Sequence, residues 1–311
     1  MGAETMIRAA GLTRRFGDLT AVGDLELEIP RGELFGIVGP DGAGKTTTLR
    51  MLAGVLRPTA GDALVRGISV RKERERIKAF TAYMPQRFGL YEDLTVIENI
   101  DFYADLYRVP RRERARRVDR LFEFSGLAPF RDRLAGKLSG GMKQKLGLSC
   151  ALVHQPEILL LDEPTFGVDP ISRRELWHII HEMIAAGVTA VVSTSYLDEA
   201  ERFDRLAFLN RGLRIALDTP DALRRAFEGE LVSARVPRAR NAAEVARAVE
   251  GVRRVVVFGD RLHFTVGSAE RQAAAIEDAL RREGFEVSDV ERIEPTLEDV
   301  FIERVARAEA A

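Results

Sequence analysis

The octapeptide Gly39-Pro40-Asp41-Gly42-Ala43-Gly44-Lys45-Thr46 constrains this chain more than any other stretch. Its pattern, G-x-x-x-x-G-K-[ST], forms a backbone cradle for a phosphate chain when a strand precedes it and a helix follows. Both flanks meet that condition. Leu34 to Val38 is a short apolar run of the kind buried in a parallel sheet. Thr46 to Ala53 has helix-forming character, with Leu49 and Leu52 spaced to face a core. Glycines at 39, 42 and 44 let the chain curl so that successive N–H groups point at phosphate oxygens. The following helix presents its positive end to the same anion. Lys45 can reach the terminal phosphates, and the Thr46 hydroxyl can ligate Mg²⁺. The loop alone implies triphosphate binding and leaves the class of triphosphatase open.

Composition narrows the field. A length of 311 residues makes two domains the natural expectation. With 46% hydrophobic and 31% charged residues, the chain reads as globular with a real core. A net charge of −1 gives no support for a protein that binds nucleic acid through bulk charge. The single cysteine, Cys150, excludes an internal disulfide or a cysteine metal site and fits a cytosolic protein. Met1 to Leu12 carries Glu4 and Arg8 and lacks an apolar run, so no secretory peptide is expected. Met1-Gly2 resembles a myristoylation start, but Met6 stands where Ser or Thr is required. No stretch approaches the roughly 18–20 apolar residues of a membrane helix, so a transport role would need a separate membrane partner.

Along the chain, Leu12–Phe16 and Ala21–Ile29 read as antiparallel strands with a turn at Gly17-Asp18. Phe16, near that turn, is either core packing or a flat platform for a base. Pro58 to Asp62 carries turn chemistry, with short strands expected at Ala63–Val65 and Ile68–Val70. Arg71–Lys78 reads as an exposed helix. Phe80–Met84 is a further buried strand, which puts Gln86 near its carboxyl end, where open α/β sheets place ligands. From about 88 to 155 the period turns helical, as in an insert between two sheet-forming halves. Within it, Arg108 to Arg120 is either a solvated helix or a contact for acidic lipid headgroups or an acidic partner loop.

Two further stretches carry chemistry. Ser139, ahead of Gly140 and Gly141, is a natural helix N-cap and a second potential anion site. Ile158 to Leu161 leads into Asp162-Glu163, two adjacent carboxylates at a strand end. Such a pair is costly unless a cation or a proton-transfer task explains it. Beside a phosphate loop, Asp162 is placed to hold Mg²⁺ and Glu163 to polarise a water. A structural alternative makes Asp162 a helix cap. His178 and His181 stand at i, i+3 on a helix over Arg174–Ile184, a spacing that suits a metal, but no third ligand is nearby and a structural role is expected.

Order and spacing together make residues 1 to about 218 resemble the nucleotide-binding subunit of an ATP-binding cassette (ABC) transporter. The matching pieces are Phe16 (adenine-stacking aromatic), Gly39 to Thr46 with Thr47 behind it (Walker A) and Gln86 (Q-loop). Leu138-Ser139-Gly140-Gly141 resembles the signature, Ile158 to Glu163 the Walker B strand and catalytic glutamate, and Gly167-Val168-Asp169 the D-loop. The resemblance implies an α/β P-loop NTPase fold: a RecA-like core with an antiparallel β subdomain and the helical insert. It also implies ATP and Mg²⁺ as ligands, with Thr46, Gln86 and Asp162 toward the metal. Two cassettes would pair head to tail, each closing Ser139–Gly141 on the partner's ATP, and drive a separate permease at the cytoplasmic face of the membrane. No nucleic-acid partner is implied.

Two positions depart from the family pattern. Met142 stands where the signature usually has glutamine. Val191 to Glu201 resembles the switch region, but Ser195 replaces its histidine, so this site is expected to hydrolyse slowly. Residues 219–311 read as a separate α+β domain, β-α-β-β-α-β and so ferredoxin-like in outline. Pro295 to Phe301 resembles the tail of ATPases serving ABC-2-type exporters, including drug and antibiotic-resistance pumps. The alternative is a non-transport ABC ATPase of DNA repair or translation. Such relatives usually carry two cassettes or a long coiled-coil insert.

Overall fold

The computed structural model describes residues 4–310, so the Met1-Gly2 start lies outside the described residues. The chain begins with β1 (Thr5–Phe16) and β2 (Leu19–Pro30), paired antiparallel from Thr5↔Pro30 to Phe16↔Leu19. In β2 the alternation works as expected: Val22, Leu25, Leu27 and Ile29 are buried while their neighbours face outward. β3 (Leu34–Val38) follows, buried along its whole length, and runs through the phosphate loop into α1 (Lys45–Leu52). β4 (Ala60–Val65) and β5 (Ile68–Ser69) then return to the first two strands, giving a four-stranded antiparallel sheet ordered β2-β1-β4-β5.

The exposed helix expected at Arg71–Lys78 shrinks to a single turn, α2 (Arg74–Ile77), which buries only Ile77. One apolar residue anchors one turn and no more. After β6 (Thr81–Met84) come three helices of the insert: α3 (Val96–Leu106), α4 (Arg111–Ser125) and α5 (Gly140–Leu152). β7 (Ile158–Asp162), α6 (Pro170–Ala185), β8 (Thr189–Thr194), β9 (Arg205–Asn210) and β10 (Leu213–Asp218) complete the core sheet, ordered β10-β9-β3-β8-β7-β6. Its strands are parallel except for β10, which pairs antiparallel with β9. β7 and β8 are buried throughout, as apolar runs in a sheet covered on both faces must be. This is the α/β cassette architecture expected above.

The chain divides into two compact units between Pro220 and Asp221, within α7 (Pro220–Arg225). The second unit runs β11 (Glu230–Arg235), α8 (Ala239–Arg247), β12 (Val252–Phe258), β13 (Arg261–Val266), α9 (Ala269–Arg282), β14 (Ser288–Ile293) and α10 (Leu297–Ala310). Its antiparallel sheet is ordered β12-β13-β11-β14, the ferredoxin-like order. Val232, Phe264, Ile276 and Leu280 are central to its own core. Among the described residues, no helix is long and apolar enough to cross a membrane.

Candidate active site

Four parallel strands deliver the site to one edge of the core sheet. Gly39 follows β3, Gln86 lies two residues beyond β6, Asp162 closes β7 with Glu163 after it, and Ser195 follows β8. Glycine is required at two points of the loop. Gly44 sits at φ +103, and a Cβ there would lie 2.5 Å from the Ala21 carbonyl oxygen. A Cβ on Gly39 would lie 2.2 Å from the Leu209 carbonyl oxygen. Helix α1 starts without a side-chain cap and without an acidic residue in its first turn, which holds Lys45, Thr46 and the half-buried Thr47. By contrast, α3, α5 and α6 begin on the capping side chains of Thr95, Ser139 and Asp169. The first-turn amides of α1 therefore suit an external anion.

Lys45 is the buried cation of the cluster, 4% exposed. Its Nζ donates to the carbonyl oxygens of Gly39 at 2.7 Å and Pro40 at 3.0 Å, and to Ser195 Oγ at 2.8 Å. It also forms an ion pair with Glu163 Oε1 at 2.9 Å. Ser195 Oγ donates to that same carboxylate oxygen at 2.8 Å and lies 3.5 Å from Asp41 Oδ1. Gln86 Nε2 donates to the other Glu163 oxygen at 3.1 Å. Glu163 itself takes φ +47, a left-handed conformation uncommon outside glycine. Its N–H is held by Ser193 Oγ at 3.0 Å.

Beside this cluster, Thr46 Oγ1 donates to Asp162 Oδ1 at 3.0 Å. No helix begins at Asp162, which removes the capping alternative. A hydroxyl and a carboxylate meeting at one point are hard oxygen donors. Mg²⁺ is commonly held by one or two carboxylates with phosphate and water, so these residues fit it. Two partners of Asp162 escaped the sequence reading: Ser193 Oγ donates to Oδ1 at 2.8 Å and the Tyr83 hydroxyl to Oδ2 at 3.3 Å. Burial pushes the Tyr83 phenol up to about 12, which keeps it a donor. The parallel register Asp162↔Ser193 creates the first contact, and nothing local distinguishes Ser193 from its neighbouring hydroxyls.

The remaining candidates form separate loci. Ser139 accepts from Met142 N at 3.3 Å as the N-cap of α5. Gly141 packs so tightly on α6 that a Cβ would meet Ser172 at 2.3 Å, while Gly140 faces open space. Asp169 caps α6, accepting from Ile171 N at 3.1 Å and Ser172 N at 3.0 Å. These amides hold its carboxyl below the usual range. Among the described residues, none of the partners of Lys45, Asp162 or Glu163 comes from Ser139–Gly141. Phe16 is 46% exposed, with the Arg14 guanidinium 4.4 Å from its ring centre. His178 pairs with Glu182 at 3.2 Å, and His181 lies beside Trp177. Among the described residues, no cluster of three or more His, Cys, Asp and Glu is placed to hold a metal ion. Cys150 is buried, which pushes its thiol up and leaves it unreactive.

Comparison with known proteins agrees with this geometry. Residues 22–166 match the family model described as ABC transporter, and residues 219–305 match that of the ATP-binding protein DrrA1-3-like C-terminal domain. The chain is 43% identical over 309 residues to the probable multidrug ABC transporter ATP-binding protein YbhF of Escherichia coli strain K12, covering 98% of this chain. It spans only 53% of that relative's own length. It is 34% identical over 303 residues to the daunorubicin resistance ATP-binding protein DrrA3 of Streptomyces coeruleorubidus, covering 96% of each. Among solved structures it resembles a dimeric ATP-binding cassette in a post-hydrolysis state bound to ADP and Pi. That likeness has a TM-score of 0.63 and 26% identity, and covers 69% of this chain and 98% of the other.

Proposed function

The chain belongs to the family of ABC transporter ATP-binding proteins, and from that premise we propose that it binds and hydrolyses ATP to power export through a separate ABC-2-type permease. The observation that carries the reading is the buried Lys45–Glu163–Ser195 cluster at the mouth of the phosphate loop, with Gln86 on the second Glu163 oxygen. The export direction rests on what the relatives' names state, multidrug and daunorubicin resistance. Pairing of two cassettes rests on the dimeric structure that this chain resembles. Gly140 and Phe16, both open to solvent, are then the surfaces offered to a partner's nucleotide and to the base of the chain's own.

In this mechanism Lys45 exchanges Glu163 for the terminal phosphates, and the first-turn amides of α1 take the remaining charge. Mg²⁺, held by Thr46 and Asp162 with Gln86 near, would supply charge neutralisation at the transferring phosphoryl group. Glu163, freed from Lys45 and oriented by Gln86, accepts a proton from the attacking water. Ser195 is short and uncharged, so it orients Glu163 without adding positive charge at the phosphate; this makes the site a slow one. Single-turnover hydrolysis in the assembled complex tests both parts. Glu163→Gln should keep ATP binding and slow the chemical step by at least about 100-fold, and Ser195→His should speed it. A Glu163→Gln variant as fast as the parent would remove Glu163 as the base. An unchanged Ser195→His rate would remove the slow-site reading.

A further inference from the structure

A cavity lies at the opposite edge of the core sheet from the active site. It is bounded by α4, the Gln155-Pro156-Glu157 turn ahead of β7, and the end of α6 with Gly187-Val188 ahead of β8. Those strands run from this edge to Asp162 and Thr194, so a strand length of about 15 Å separates the two places. The cavity holds about 400 Å³, within the range of roughly 300–1,000 Å³ that small-molecule sites occupy.

Its chemistry is divided. Phe124, Leu152, Met183 and Val188 supply an apolar wall, and Arg117 and Arg120 stand on the α4 side. The Arg117 side chain is only 14% exposed. Its Nη2 donates to Glu113 and its Nη1 to the Val153 carbonyl oxygen, while its buried Nε has no hydrogen-bond partner. Arg120 makes no ion pair among the described residues, and its guanidinium lies 5.3 Å from the Phe124 ring centre. The one carboxylate lining the cavity, Glu157, is already shared by Arg31 and Arg66. Arg117 is balanced by Glu113, so the positive charge left without a counter-charge beside the greasy wall is that of Arg120. Planar guanidinium groups match a carboxylate in bidentate fashion, and an aromatic wall suits a hydrophobic body.

We propose that this cavity binds a small amphipathic organic carboxylate, its charged end on Arg120, beside Arg117, and its apolar body against Phe124 and Met183. The arginine-rich stretch of α4 then has a purpose beyond solvation, and a ligand held there joins the helical insert to the sheet core. The test uses the full chain without nucleotide, anilinonaphthalene sulfonate as the fluorescent probe, and octanoate or octanol as competitor. Octanoate should displace one saturable equivalent of probe and octanol should not. Octanoate should also protect residues 111–125 and 183–188 from hydrogen exchange. Arg120 is exposed, so Arg120→Gln should leave folding intact. It should weaken octanoate by roughly tenfold, the loss of one charge-assisted hydrogen bond. Octanol competing as well as octanoate would reduce the cavity to an apolar crevice. Unchanged affinity in Arg120→Gln, or protection appearing elsewhere, would also overturn the proposal.

Discussion

Glu33 shows how one buried carboxylate sets a pH dependence. It stands at the entry to β3, 7% exposed, with Oε1 accepting from Arg205 at 3.3 Å and Oε2 without a partner. Burial pushes its carboxyl from the ordinary 4.5 up to about 7, against the pull of Arg205. The folded form therefore holds the proton more tightly than the unfolded chain. Its stabilising contribution is full below about 4.5 and is lost as pH rises through about 7. Glu33→Gln should accordingly raise the thermal midpoint at pH 8 and give no gain at pH 5; a difference that ignores pH would refute this. Neither Glu33 nor Ser193 was legible as important in the sequence, because each gains its role from a neighbour far along the chain. Lys45, Asp162 and Glu163 were legible, because the loop pattern and the acid pair at a strand end are local.

At the scale of elements, α6 ties the Gly167-Val168-Asp169 turn to the segment that follows β8. Asp169 caps its start, Arg173 lies 4.5 Å from the Tyr196 ring centre, and Trp177 Nε1 donates to Glu199 at 3.1 Å. Glu199, 1% exposed, also accepts from Thr194 Oγ1 at 2.7 Å, immediately before Ser195. Trp177→Phe keeps most of the packed volume but deprives a buried carboxylate of a donor. It should cost about 1–3 kcal/mol in urea unfolding; a change below about 0.5 kcal/mol would mean that Glu199 is satisfied without it. The long apolar strands could be read from pattern because burial on both faces demands it. β4 could not be read fully, since Ala60-Gly61-Asp62 carries turn chemistry yet pairs with β1. There Gly61 takes φ +65 against the Gly11 backbone, a close approach only glycine permits, at a register shift in the ladder.

At the scale of the whole molecule, each unit has a core of its own. In the second unit, Val232, Phe264, Ile276 and Leu280 are buried in one cluster that joins sheet and helices. Residues 221–311 are within the usual size of an independent domain. Expressed alone, they should unfold in one cooperative thermal transition with native-like circular dichroism. A gradual, non-cooperative melt would show that the unit depends on the rest of the chain.

By itself the sequence determined the cassette architecture, the triphosphate loop and the ferredoxin-like element order. The loop and the element order are written in local spacing, in glycine positions, apolar runs and the alternation of helix and strand; the cassette architecture follows from the family that the ordered motifs resemble. Tertiary structure alone decided what surrounds Lys45. Ser195 and Glu163 are 32 residues apart in sequence, and only the parallel pairing of β7 with β8 sets both beside the loop. It likewise packed Gly141 against Ser172 of α6. Long-range register, which no short motif encodes, made those choices.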